Sequence, residues 1–395
     1  MNGMRFFAVM MWLLIFAPLA AAQSLVYLVS YGTTQASFRA RFPNGIFGTT
    51  TDQRLEMLRR TIKNEIWSVS VADGKRTLLF SDEGMSNFEI ISATGLGCAI
   101  PAGGKAIVKG VERSWRGQPN PGAMETPRGV YEISFDGSKR FRRVMDTKEN
   151  MGPLMLDASG AKVAFDALDP ATNKYTLYVY GLPGWKILLT VDLSKAMDTH
   201  CPGCVVQNYG WLADGKDLVF QIEPGDEDED EASTNQVPGN YIFSDAGADA
   251  GNIPNTAGRM EMTGYERLPA FGARVIGQLA DGRFVFMDYA LRRVPRPKPP
   301  VEYEPFLVIT DPDFKTLKQV QIGRLRTGGY LLSANGKYMA YIEDRMTPDY
   351  RSERYVWTMN LETGEAKEVF MTPPPNPPTS PEPNISVTIV GWSDK

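Results

Sequence analysis

Three groupings in this 395-residue chain combine residue types that can do chemistry. The first is His200-Cys201-Pro202-Gly203-Cys204. Two cysteines at this spacing exchange disulfides where a helix N-terminus depresses a thiolate. They hold zinc where two further ligands join them, or clip a loop in an oxidising compartment. Here the pair precedes an apolar β-run, His200 is the chain's one histidine, and a haem-attachment pair would carry its histidine after the second cysteine. The expectation is a structural Cys201–Cys204 disulfide, with no metal and no cofactor. Cys98, the third cysteine, reads as a small buried apolar side chain.

The second grouping is acidic, Asp226-Glu227-Asp228-Glu229-Asp230-Glu231. Such a run reads first as a solvated loop. Calcium is the functional rival, although the EF-hand pattern is missing. The third grouping is cationic. Arg113, Trp115 and Arg116 stand among prolines and glycines, and Arg292, Arg293, Arg296 and Lys298 stand between prolines. An indole beside guanidinium groups suits stacking on a sugar or gripping a carboxylate, so Trp115, Arg116, Arg292 and Arg293 are the candidate binding residues. Neither Gly-x-Ser-x-Gly nor His-Glu-x-x-His occurs, and no catalytic residue is assigned. Paired carboxylates declare themselves by distance, which spacing alone does not reveal.

The elements that must position these residues are written as a repeat. A Gly turn followed by a β-run recurs as Ala213-Asp214-Gly215-Lys216 before Leu218-Val219-Phe220, as Ala280-Asp281-Gly282-Arg283 before Phe284-Val285-Phe286, and as Ala334-Asn335-Gly336-Lys337 before Tyr338-Met339-Ala340-Tyr341. Ala158-Ser159-Gly160 and Ala102-Gly103-Gly104-Lys105 are further copies. Turn glycines at 104, 160, 215, 282 and 336 give a period typical of a propeller or solenoid. Between copies lie second hairpins, the clearest being Ile66 to Val71, Asp73-Gly74, then Thr77 to Phe80. Six outer hairpins face five inner ones. Ile385 to Ser393, stopping at Gly391-Trp392 where Gly210-Trp211 enters its turn, and Leu25 to Ser30 supply the two halves of the sixth. The expected fold is an all-β, six-bladed β-propeller over residues 23–395, closed by pairing of the C-terminal strand with the N-terminal blade.

The Gly-turn motif resembles the WD40-like repeat of TolB-type six-bladed propellers, whose usual form is Ser-Pro-Asp-Gly-Lys before an apolar run. Ala takes the Pro position in all five copies here. TolB carries an α/β domain ahead of its propeller, whereas this chain enters its first strand at once. What the resemblance implies is the fold.

Residues 1–22 have one basic residue, Arg5, an apolar run from Phe6 to Ala17, and Ala20-Ala21-Ala22 before Gln23. That is the pattern of a signal peptide, so the expected location is the periplasm or outside the cell, with no membrane span after cleavage. A net charge of -4 disfavours nucleic acid as a partner. Within each blade the inner and outer hairpins join on one face of the disk, through segments expected at 31–64, 112–129, 167–174, 223–240, 288–304 and 343–354. Enlarged loops on one face are where propellers and other scaffolds bind. The first of these segments contains the one expected helix, Asp52 to Lys63, with Leu55, Leu58 and Ile62 on one face. The function read from all this is a non-catalytic exported monomer binding an envelope protein or glycan on that face. The rival is a polysaccharide hydrolase or lyase using carboxylates or a divalent cation near the central channel, and a third reading is a subunit of a larger envelope assembly.

Overall fold

The structure, a computed structural model, describes residues 23–393 apart from 41–60, 92–96, 101–103, 113–127, 194–203, 225–238, 244–248, 254–265, 268–272, 294–300 and a few single or paired positions. Among the described residues the strands form six antiparallel sheets. In the first, β26 (Asn384–Ser393) lies beside β1 (Ser24–Gly32), followed outward by β2 (Thr61–Ser70) and β3 (Arg76–Ser81). The second sets β4 (Phe88–Ile90) and β5 (Gly97–Ile100) along one edge of β6 (Lys105–Glu112), then β7 (Gly129–Ser134) and β8 (Phe141–Asp146). The third contains β9 (Met155–Leu156), β10 (Lys162–Asp169), β11 (Lys174–Gly181) and β12 (Lys186–Asp192). The fourth contains β13 (Cys204–Trp211), β14 (Leu218–Pro224), β15 (Gly239–Phe243) and β16 (Asp249–Ile253). In the fifth, β17 (Glu266–Arg267) and β18 (Arg274–Gln278) share β19 (Phe284–Arg293), followed by β20 (Val301–Thr310) and β21 (Thr316–Gln321). The sixth contains β22 (Leu325–Leu332), β23 (Tyr338–Met346), β24 (Ser352–Asn360) and β25 (Ala366–Thr372).

Successive meanders stacked face to face make an all-β propeller. The second strand of each sheet is buried on both faces, which explains its nearly unbroken apolar run. On β6, Ala106 and Val108 join the first sheet's Val26, Leu28 and Ile66, while Ile107 joins the third sheet's Val163 and Phe165. Ala164 and Leu177 meet Trp211 and Phe220 of the fourth sheet, and Val219 meets Phe284 and Phe286 of the fifth. Val285 and Leu307 meet Met339 and Tyr341 of the sixth, whose Ala340 and Ile342 pack on Leu25, Tyr27 and Val29 of the first.

All five repeat glycines have positive φ, from 57° to 87°, a conformation that glycine adopts without a Cβ clash. The turn at Gly215 shows the pattern. Gly215 N donates to Leu212 O at 3.0 Å, Leu212 N to Asp217 O at 2.8 Å, and Asp214 Oδ1 accepts from Lys216 N at 2.9 Å. The two Gly-Trp pairs take equivalent places. Trp211 Nε1 donates to Met155 O on the innermost strand of the preceding sheet at 3.0 Å, and Trp392 Nε1 donates to Leu331 O on the innermost strand of the sixth at 3.2 Å. β26 and β1 pair from Ser24↔Ser393 to Gly32↔Asn384, so the first sheet is built from both ends of the described chain.

A polar clasp locks the first sheet to the second. Asn64 Nδ2 donates to Ile90 O at 2.8 Å and to Asp82 Oδ2 at 2.9 Å, while Asp82 also accepts from Asn64 N at 2.7 Å and Ile90 N at 2.9 Å. Both side chains are wholly buried. Asn240 repeats the reach between the fourth and fifth sheets, donating to Ala273 O at 2.9 Å.

Several sequence expectations change. Thr61, Ile62 and Lys63 belong to β2, not to a helix, and residues 52–60 lie outside the described residues. Asn64 and Ile66, on one side of the strand, are fully buried, and Gly32 to Leu28 of β1 pair with Thr61 to Ile66, so the ladder to β1 captures the segment. Strands also run further than expected: β19 reaches Arg293 and β20 starts at Val301, and β23 and β24 leave only 347–351 between them. Charged strand ends were the source of the excess loop length. No helix among the described residues is long and apolar enough to cross a membrane.

Candidate functional site

Antiparallel alternation sends the connections between second and third strands to the same face as the links between sheets. The strand ends that bound 33–60, 113–128 and 225–238 open on that face, against tight turns on the other. Toward that face the apolar runs of the second strands end in polar residues: Lys109, Asp166, Gln221, Asp288 and Glu343, each five to seven positions past its repeat glycine. Gln221, Asp288 and Glu343 are all buried.

Lys109 Nζ reaches from the second sheet to the link before β9, donating to Met151 O at 2.7 Å and Gly152 O at 3.0 Å. Burial pushes its ammonium down to about 8, and the carboxylate of Asp166 opposes that shift. Gly152 N in turn donates to Asp166 O at 2.8 Å, and a Cβ on Gly152 would lie 1.9 Å from Asp166 Oδ1. The lysine, the glycine and the carboxylate therefore fit as one unit.

Two carboxylates at this end are each wrapped by a cation and aromatic rings. Glu343 takes both arms of the Arg345 guanidinium, at 3.0 and 2.9 Å, and that guanidinium lies 4.4 Å from the Tyr355 ring centroid and 5.4 Å from that of Trp357. Beneath them burial, reinforced by Glu343, pushes the Tyr341 hydroxyl up to about 12. Glu65 accepts from Lys63 at 2.7 Å, Tyr31 OH at 3.0 Å and Trp67 Nε1 at 3.1 Å, with Lys63 4.5 Å from the Tyr31 ring centroid. Burial alone would raise the Glu65 carboxyl, but these three donors outweigh it and hold it below its ordinary value. Fixed donors, acceptors and ring faces of this kind recognise polar ligands by hydrogen bonding and stacking. Among the described residues no three His, Cys, Asp or Glu side chains gather as a metal ligand set.

The residues singled out from sequence fall as follows. Trp115 and Arg116 lie outside the described residues, as do Cys201 and the acidic run 226–231. Arg292 and Arg293 end β19, opposite Glu302 and Val301, so they stand on a strand rather than in the expected loop. Cys204 opens β13 opposite Pro224, and Cys98 on β5 faces Ile107. Lys109, Glu343 and Glu65 were not singled out. For the first two the available signal was a polar residue closing an apolar run at a fixed distance past the repeat glycine.

No family model matches the chain, and no curated protein does. Solved structures do. TolB from Acinetobacter baumannii shares 12% identity at a TM-score of 0.48, covering 98% of this chain and 71% of that one. A putative TolB from Agrobacterium tumefaciens shares 14% at 0.41, covering 82% and 97%. A chain of a nidogen/laminin complex shares 9% at 0.40, covering 93% and 97%. Two of these three similar structures carry the TolB name, that of the propellers whose repeat the Gly-turn motif resembles.

Proposed function

We propose that the chain is an exported, non-catalytic six-bladed propeller, one closed ring over residues 23–395, that binds a protein or envelope glycan through its long-loop face. Six sheets support the blade count, and the pairing of β26 with β1 together with the packing of the sixth sheet on the first supports closure. The signal-like residues 1–22 support a periplasmic or secreted location, and the chain would act as a monomer. The observation that carries the binding reading is the row of buried polar residues near the strand ends from which the long connections leave. Trp115 and Arg116 fall within 113–128, and Arg292 and Arg293 end a strand on the same side.

Pull-down from envelope extracts and a glycan array with the mature protein identify the ligand. Trp115→Ala with Arg116→Ala should then weaken binding by about 1–4 kcal/mol, while Lys216→Ala on the tight-turn face leaves it unchanged. A larger loss from Lys216→Ala would reverse the face. Turnover of a polysaccharide would replace this reading with the hydrolase or lyase one.

A further inference from the structure

We infer that the mature chain is blocked at its first residue by cyclisation of Gln23 to pyroglutamate, sealing the edge of the sheet where the two chain ends meet. The inference rests on the export reading, because cleavage after Ala20-Ala21-Ala22 is what places a free α-amine on Gln23. The structure supplies the rest. Gln23 is 7% exposed, and its carbonyl accepts from Val71 N at 3.0 Å. The ladder begins at the next residue, Ser24, which faces Ser70 on one side and Ser393 on the other. The Gln23 side-chain oxygen is buried without a hydrogen-bond donor.

An α-ammonium held at this buried edge carries a desolvation cost that a neutral lactam does not. An α-amine titrates near neutrality, so the nucleophilic form is present. The amine nitrogen attacks the side-chain amide carbon Cδ, the new N–Cδ bond forms as Cδ–Nε2 breaks, and ammonia leaves with the amine's proton. No oxidant or reductant is needed. The product has no terminal charge and no substrate for general aminopeptidases, which protects β1, the strand held between β26 and β2.

The test is the intact mass and N-terminal peptide of the full-length gene product, isolated from the envelope or medium and measured at harvest. The expected mass is that of residues 23–395 less one ammonia. Pyroglutamyl peptidase should release the residue from the denatured protein and not from the native one. Residues 23–395 with an uncyclised Gln23 would overturn this inference and leave export standing, as would a cyclised fraction that is absent at harvest and grows only on storage. A chain that starts anywhere other than Gln23 overturns the cleavage reading, and the inference falls with it. Gln23→Ser should be exported and keep the parent's far-UV circular dichroism while the amine of its N-terminal peptide is labelled by amine reagents, which separates the block from folding.

Discussion

Trp392 stands three residues from the end of the chain, where truncation of a side chain ordinarily costs little. Here its indole is 4% exposed, packs with Leu25, Tyr27 and Val387, stacks on Tyr338 at 6.1 Å between centroids, and donates to Leu331 O. Removing a buried indole costs about 3–5 kcal/mol, of which the hydrogen bond contributes about 1 kcal/mol. Trp392→Ala should therefore lose about 3–5 kcal/mol, and Trp392→Phe, which keeps most of the packing, about 1–2 kcal/mol. Trp211→Ala is the internal reference, since Trp211 makes the same bond in mid-chain. Urea unfolding followed by far-UV circular dichroism reads all three variants without depending on the indole removed. If Trp211→Ala loses several kcal/mol while Trp392→Ala stays within about 0.5 kcal/mol of the parent, β26 is a frayed end and the seam carries no weight in stability.

Deleting 385–395 should abolish cooperative unfolding or cause aggregation, because it exposes the edge of β1; a truncated protein with an unchanged melting temperature counts against this. Asp82→Ala leaves Asn64 N, Asn64 Nδ2 and Ile90 N short of an acceptor and should cost about 3 kcal/mol or more in urea unfolding. Lys109 has a folded pKa of about 8 against 10.5 for the free side chain, so between these values the unfolded chain binds more protons and stability rises with pH, by roughly 3 kcal/mol in all. Lys109→Met should flatten that rise between pH 8 and 10, and an unaltered slope would assign it to other groups. Mass spectrometry of the unreduced protein should find Cys201 bonded to Cys204; two free thiols there would remove the clip.

What could be read from the sequence was local. The repeat glycines announce themselves because a backbone at positive φ selects glycine, and the second and third strands because alternation and apolar runs are properties of adjacent residues. Gly391-Trp392 was legible as half of a hairpin because Gly210-Trp211 supplied its complete counterpart. The clasp of Asn64, Asp82 and Ile90 was not, since its partners meet only when two sheets pack. Lys109 was legible as a polar residue closing an apolar run, but its acceptors, Met151 O and Gly152 O in the link before β9, were not. The split of the innermost strands into β4 and β5, and into β17 and β18, follows from pairing with β6 and β19. The helix expectation failed at Thr61 to Lys63 because spacing that suits a helical face was carried across into residues that a neighbouring strand could bind.

Ser24 and Ser393 face each other where the other sheets have a tight turn, so both ends of the described chain leave from the tight-turn side. A tag, surface or fused domain attached at either end therefore holds the molecule by that side and presents the long-loop face outward. By the same geometry, joining the two ends through a short Gly-containing turn and opening the chain between Asp214 and Gly215 would give a permuted protein with the same six sheets and its handle on a different one. Such permutants allow the molecule to be rotated on a sensor surface while the presented face stays fixed.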